Sequence, residues 1–255
     1  LHCSDGKLEL EPNHKHAPEL LLGIEQAMKP LGPSLDRLIV TGDLSNYGDP
    51  GSLSFARMWL TNRIALVNGR DSGLSFPLTK LRVIPGNHDA WNNKKGGTLA
   101  NRLQRAIHYY NAEFPDHKMP SEGCYYDWVE KGDHAIYIAY LNSCHLADTE
   151  KYDSSDRVGI DKIARGKVSI EHSEELLSLH EMGMRGTLEH PQISGSQIPA
   201  EKYSKALKIL VMHHYLFQPT GSKRERTLEL DDRNQVFRNI AYADFDVLIC
   251  GHKHV

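Results

Sequence analysis

Five short segments of this 255-residue chain each end a run of apolar residues with Asp, Asn or His. The polar residues that end these runs are Asp5, Asp43, Asn87-His88-Asp89, His213-His214, and His252 with His254. Each apolar run is typical of a buried β-strand, and ligands of open α/β sheets bind beyond the carboxyl ends of the strands. A single Asp after a strand is usually a turn residue or a helix cap. Five such ends in one chain indicate a shared site.

The residue types also select a class of metal ion. Imidazole, carboxylate and amide oxygen together suit Mn, Fe, Zn, Co or Ni. Gly42, Gly86 and Gly251 each directly precede a candidate ligand, where a missing Cβ lets the backbone turn tightly beside an ion. Asp43 is central enough to bridge two ions, and such a pair can hold a hydroxide between them and clamp a phosphate.

Alternating strand-like and helical patterns must position these residues, and they predict a layered α/β domain. The predicted strands are Leu1–Ser4, Leu38–Thr41, Leu81–Ile84, Tyr125–Val129, Ala135–Leu141, Ala206–Met212 and Asp246–Cys250. The predicted helices are Pro18–Met28, Leu53–Val67, Leu99–Phe114, Ser169–Met182 and Asn234–Tyr242. Two polar stretches, His145–Arg165 and Thr220–Arg233, are expected to be surface loops that shape the substrate entrance.

Length and charge narrow the class of protein. We expect one domain over residues 1–255, trimmed from a longer chain, because the chain begins without Met and stops just after a His-rich motif. The net charge of −3 provides no global field for nucleic acid or anionic lipid. No apolar run approaches the roughly 20 residues that cross a bilayer. We therefore expect no membrane partner, and the widely separated cysteines favour the cytoplasm.

The combination of Gly-Asn87-His88-Asp89 with Gly-His252-Lys-His254, in order after Asp5 and Asp43, resembles the calcineurin-like metallophosphoesterase superfamily over the whole chain. The resemblance implies a four-layered α/β/β/α sandwich with two central mixed β-sheets flanked by helices. It also implies a phosphoester hydrolase in which a metal-bound hydroxide attacks phosphorus.

The resemblance assigns a role to each motif residue. The first ion would be held by Asp5, Asp43 and His254. The second would be held by Asp43, Asn87, His213 and His252, with Asp43 bridging. His88 would be the catalytic imidazole that assists the leaving group. We expect four further residues to surround the ligands without binding the metal themselves: Lys7, Asn46, Asp89 and His214.

Two positions depart from the family pattern. Lys7 stands where a ligand His is expected, and an ammonium group has no lone pair for a metal. We expect Lys7 to stay charged and to pair with Asp5, which leaves the first site weakly occupied. Asn46 stands where many relatives carry an Asp that orients the catalytic imidazole. Its amide oxygen can still accept a hydrogen bond from His88, but it supplies no negative charge.

Three functions fit these residues. The leading hypothesis is a phosphomonoesterase or phosphodiesterase that acts on a small phosphorylated substrate, nucleotides included. A second is a DNA or RNA nuclease of the same superfamily, although the acidic balance and the lack of an aromatic and basic stripe argue against extended nucleic acid. A third is a metal-poor binding scaffold in which Lys7 replaces a cation. The presence of His88 argues against it, since a scaffold has no use for a non-ligand catalytic His.

Overall fold

The computed structural model describes residues 17–45, 50–66, 69–90, 107–115, 124–144, 168–190, 193, 197–216 and 233–251. The chain divides into two compact units, Leu1–Lys118 and Met119–Val255. Both units combine helices with strands, which confirms the α/β class. The expectation of a single domain stays a prediction.

The first unit contains a two-stranded parallel sheet with helices around it. Its elements are α1 (Ala17–Met28), β1 (Leu38–Val40), α2 (Pro50–Thr61), β2 (Ile64–Ala65), β3 (Asp71–Ser72), β4 (Leu81–Val83), α3 (Asn87–Ala90) and a helix at residues 107–113, here α4. Short 3-10 turns lie at Gly32–Ser34 and Leu78–Lys80. β1 pairs in parallel with β4, with Val40 opposite Val83. The helices cover an apolar core that includes Leu21, Leu53, Trp59, Leu81 and Phe114.

The predicted helix Leu53–Val67 is wrong at both ends, because the helix begins at Pro50 and ends at Thr61. The segment that contains Leu74 and Phe76 explains why this helix ends before its predicted end. The N–H of Leu74 bonds to the carbonyl of Trp59 at 2.9 Å, and that of Phe76 bonds to Leu60 at 2.9 Å. These carbonyls therefore accept hydrogen bonds from a distant segment. Ile64–Ala65 pairs instead with Asp71–Ser72 as a small hairpin.

The second unit contains a four-stranded mixed sheet. Its elements are β5 (Cys124–Lys131), β6 (His134–Leu141), α5 (Ile170–Arg185), β7 (Thr187–Leu188), β8 (Ile198–Pro199), α6 (Ala200–Lys205), β9 (Leu207–Met212), α7 (Arg233–Tyr242) and β10 (Val247–Cys250). The sheet order is β10-β9-β6-β5. β6, β9 and β10 run parallel, and β5 is antiparallel to β6.

The second core forms where side chains of this sheet meet α5, α6 and α7. Tyr137, Leu176, Tyr203, Leu210 and Val236 are all fully or almost fully buried there. Helix α5 begins at a serine cap, since the Ser169 hydroxyl accepts the N–H of His172 at 3.1 Å. It continues to Arg185, three residues past its predicted end. The other predicted strands and helices of this unit are confirmed within two residues at each end.

Some predictions fall outside the described residues: the strand Leu1–Ser4, the start of the helix Leu99–Phe114, the loop His145–Arg165 and almost all of the loop Thr220–Arg233. None of the helices in the described ranges combines the length and apolar character needed to cross a bilayer. Cys124 is a buried thiol and Cys250 a half-buried one, and burial raises the pKa of Cys250 to about 12.

Candidate functional site

The chain turns sharply where β1 ends. Gly42 has a φ of 98° and Asp43 a φ of 57°, so two successive residues lie in the left-handed region. Asp is one of the few side chains that tolerate this conformation, at a cost of roughly 1–2 kcal/mol. The turn places the Asp43 carboxylate in the interior of the first unit, with only 5% of the residue exposed. Strained, buried carboxylates of this kind are typical of functional sites.

Gly86 lies against this turn from the neighbouring strand. The N–H of Ile84 bonds to Val40 at 3.0 Å, which extends the pairing of β1 and β4 to their carboxyl ends. A Cβ on Gly86 would lie 2.7 Å from the Asp43 carboxyl carbon and closer still to its oxygen and backbone nitrogen. The missing Cβ thus allows the positive φ of Gly42 and the close approach of Gly86 to Asp43.

Three candidate residues follow in the short helix α3. Asn87 is buried, and His88 is partly exposed. The backbone N–H of His88 donates to Asp43 Oδ1 at 3.1 Å. The structure thus brings Asp43, Asn87 and His88 together at the carboxyl ends of two adjacent parallel strands, as the sequence predicts.

Asp89 connects the two loops that follow β1 and β4. Its Oδ1 accepts the backbone N–H of Ser45 at 2.7 Å and the Ser45 hydroxyl at 3.0 Å, and its Oδ2 accepts the N–H of Gly86 at 2.9 Å. Burial and the nearby Asp43 carboxylate raise the pKa of Asp89 to about 6, against the effect of these three hydrogen bonds. Asp89 therefore connects the loops that carry Asp43 and Asn87. Its predicted place beside a metal site stays a prediction.

Two supporting residues in this unit were missed by sequence reasoning. Ser45 bonds to Asp89, and the Tyr110 hydroxyl on α4 donates to the carbonyl of Ile84 at 2.8 Å. Tyr110 is almost fully buried. The position of Ser45, two residues after Asp43, was a signal that could have been followed. The sequence around Tyr110 contains no such signal, because the hydrogen-bond partner of Tyr110 lies 26 residues away.

In the second unit, the carboxyl ends of the parallel strands β6, β9 and β10 lie side by side. Leu141 pairs with Met212, and Met212 pairs with Cys250. The next residues along the three strands are Asn142, His213 and Gly251. The Gly251 N–H donates to the carbonyl of His213 at 3.1 Å. His213 and His214 are buried, with their ring centroids 5.0 Å apart and their planes nearly perpendicular.

Sequence reasoning also missed the polar residues at the end of β6. The Asn142 side chain accepts the backbone N–H of Cys144 at 3.0 Å. The Ser143 hydroxyl lies 2.8 Å from His214 Nδ1 and accepts the backbone N–H of His214 at 3.1 Å. Both residues are buried. A strand that ends in Asn-Ser was a usable signal, since it repeats the pattern of an apolar run that stops at polar residues.

The structure therefore describes half of the predicted metal ligands. Asp43 and Asn87 lie in the first unit and His213 in the second, while Asp5, His252 and His254 fall outside the described residues, as do Lys7 and Asn46. Within the described part of the chain, no three His, Cys, Asp or Glu residues form a group suited to a metal. That Asp43 and Asn87 share a cation with His213 and His252 stays a prediction.

The residues present are chemically suited to a metal ion. The first unit offers a carboxylate and an amide oxygen, and the second offers an imidazole, all on buried residues. First-row divalent ions accept both oxygen and imidazole donors. Burial first, and then repulsion by the neighbouring Asp43 carboxylate, raise the pKa of Asp89. A cation at Asp43 would offset this repulsion.

Strand-end carboxylate, amide and imidazole groups of this kind are typical of metal-binding α/β enzymes. The family model described as Calcineurin-like phosphoesterase matches residues 2–255, and the chain belongs to that family. Members of the family are metal-dependent hydrolases of phosphoesters. A comparison with curated proteins found no match.

Proposed function

We propose that the protein is a phosphomonoesterase or phosphodiesterase that acts on a small phosphorylated molecule, nucleotides included. The observation that supports this best is the cluster of Asp43, Asn87 and His88. Two buried residues of ligand type, Asp43 and Asn87, lie beside His88, a partly exposed residue whose backbone N–H donates to Asp43. A histidine that follows a candidate ligand directly and is only partly buried is suited to proton transfer rather than to packing.

The proposed ligand sets are those that the family resemblance implies. Asp5, Asp43 and His254 would hold a first ion, and Asp43, Asn87, His213 and His252 a second. The donors suit Mn, Fe, Zn, Co or Ni. When bound, such ions supply an activated water and neutralise charge on the phosphoryl group. The proposed architecture remains the four-layered α/β/β/α sandwich, supported so far by the mixed sheet of the second unit.

Three side chains would support the reaction without binding the ions. The His88 ring would donate a proton to the leaving oxygen. The backbone N–H of His88 donates a hydrogen bond to Asp43 Oδ1, which fixes the position of the residue. Asn46 would accept a hydrogen bond from the His88 ring and fix its tautomer. Lys7 would pair with Asp5, so that the first ion binds more weakly than the second.

The test is His88→Ala in the Mn²⁺-loaded protein, assayed with p-nitrophenyl phosphate and bis-p-nitrophenyl phosphate. Loss of the proton donor should lower kcat by about 10²–10⁴-fold. Metal content should be unchanged, since His88 is not a ligand. His108→Ala is the matched control, because His108 is an exposed residue of α4. It should keep the wild-type rate.

An H88A variant as active as the wild type would refute the role of His88. A wild-type protein that hydrolyses neither ester with any of the five metals would refute the proposed activity. Faster cleavage of single-stranded DNA or RNA than of both small esters would refute the proposed substrate class and favour a nuclease.

A further inference from the structure

We propose that Ser143 is a positioning residue for the metal ligand His213, an inference that rests on the proposed function. Ser143 lies two residues beyond Leu141 on β6, and His214 lies two residues beyond Met212 on β9. Because Leu141 and Met212 are paired, Ser143 and His214 reach the same level of the sheet. The hydroxyl thus meets the His213–His214 segment at the carboxyl end of the strand.

One hydroxyl makes two contacts with this segment. Ser143 Oγ accepts the His214 backbone N–H at 3.1 Å and lies 2.8 Å from the ring nitrogen Nδ1. It therefore fixes both the peptide that joins His213 to His214 and the orientation of the His214 ring. Ser143 and His214 are completely buried, so water cannot easily replace a missing partner.

The His213 backbone is held from two sides. On the β10 side, its carbonyl accepts the Gly251 N–H at 3.1 Å. On the β6 side, the next peptide N–H is held by Ser143. The His214 ring, fixed by the same hydroxyl, packs edge-on against the His213 ring at 5.0 Å between centroids. These contacts restrict how the His213 imidazole can turn, and such restriction is what a metal site needs from its supporting residues.

The experiment measures Mn²⁺ affinity by calorimetry in the full chain. Removing a group that orients a metal ligand typically weakens metal binding by about 10–100-fold, and we expect this of Ser143→Ala. Ser143→Cys keeps a side chain of similar size, but a thiol forms only weak hydrogen bonds. Its Mn²⁺ affinity should therefore lie between those of wild type and Ser143→Ala. Ser173→Ala is the matched control. Ser173 is also a buried serine with two hydrogen bonds, to Ile170 and Asn239, but it lies on α5.

A second readout does not need metal. Imidazole ¹⁵N shifts of the metal-free protein should change for His213 and His214 in S143A and stay unchanged in S173A. Equal Mn²⁺ affinity of S143A, S143C and wild type, with hydrolysis intact, would overturn the role of Ser143 alone. A wild-type protein that binds no Mn²⁺ and hydrolyses no ester would overturn the proposed function as well. If S143A does not fold, S143C and its nitrogen shifts decide the question.

Discussion

At the scale of single residues, the best-defined part of the site is the buried carboxylate of Asp89. Three hydrogen-bond donors from two loops converge on it. The sequence places Asp89 beside the metal ligands because it follows Asn87 and His88. Its partners could not be predicted, since the Ser45 contact joins residues 44 positions apart in the chain.

We predict that Ser45→Ala lowers the free energy of unfolding by about 1–3 kcal/mol, because it removes a buried hydrogen bond to a charged group. Urea denaturation at about pH 7.5 with a chelator would measure this, at a pH where Asp89 with its pKa of about 6 is ionised. Ser34→Ala is the control, since Ser34 is exposed and bonds only to the nearby Leu31. Equal stability of the two variants would contradict the role of Ser45.

At the scale of elements, strand ends were predicted better than helix ends. β1, β4, β9 and β10 appear within one residue of their predicted bounds, because each is an apolar run bounded by polar or turn residues. The end of α2 was missed because hydrogen bonds from Leu74 and Phe76 decide it, and those contacts are not local. The strand pairs β2–β3 and β7–β8 were also missed, since two-residue strands have no readable alternation.

The close approach of Gly86, in the loop after β4, to Asp43 gives a test at this scale. Gly86→Ala should lower the free energy of unfolding by roughly 1–3 kcal/mol, since the new methyl must displace Asp43 or the strand. The displacement should also weaken Mn²⁺ binding. Gly23→Ala is the control: Gly23 is exposed in α1 with nothing near its Cβ position, and helix propensity predicts a gain of about 0.5–1 kcal/mol. A G86A protein as stable as G23A would contradict the close contact.

At the scale of the whole molecule, pH acts on the second unit through two partly buried histidines, His180 and His190. Burial lowers the pKa of His190 from its ordinary 6.5, although Glu175 Oε1, 3.6 Å from its Nε2, opposes the shift. Burial and then the charge of Lys208 lower the pKa of His180 as well. Below about pH 6.5 these two histidines therefore bind more protons in the unfolded chain than in the folded one. This contribution to stability is complete above about pH 6.5 and is lost as the pH falls.

His190→Gln should remove part of this pH dependence. With metal removed, unfolding free energies measured between about pH 5 and 8 should fall less steeply on acidification in H190Q than in wild type. His134→Gln is the control, since His134 is an exposed residue of the β5–β6 hairpin. If the curves of wild type and H190Q run parallel below pH 6.5, His190 does not titrate as described.

The family and the α/β class were predictable from the chain as a whole, because five motifs in order are more specific than any one of them. The meeting of Asp43, Asn87 and His88 was predictable too, since neighbouring parallel strands end at one edge. The positions of Ser45 and Ser143 were usable signals, but their hydrogen-bond partners were not predictable, because those partners lie 44 and 71 residues away in the chain. The Tyr110 hydroxyl gave no signal at all.

The central proposal is that Asp43, Asn87 and His213 bind one cation. The most direct measurement is a crystal structure of the Mn²⁺-soaked protein with anomalous diffraction. We predict a manganese peak within about 2.0–2.3 Å of an Asp43 oxygen, the Asn87 amide oxygen and a His213 ring nitrogen. A manganese ion bound elsewhere, or one that contacts Asp43 while His213 binds nothing, would contradict the account.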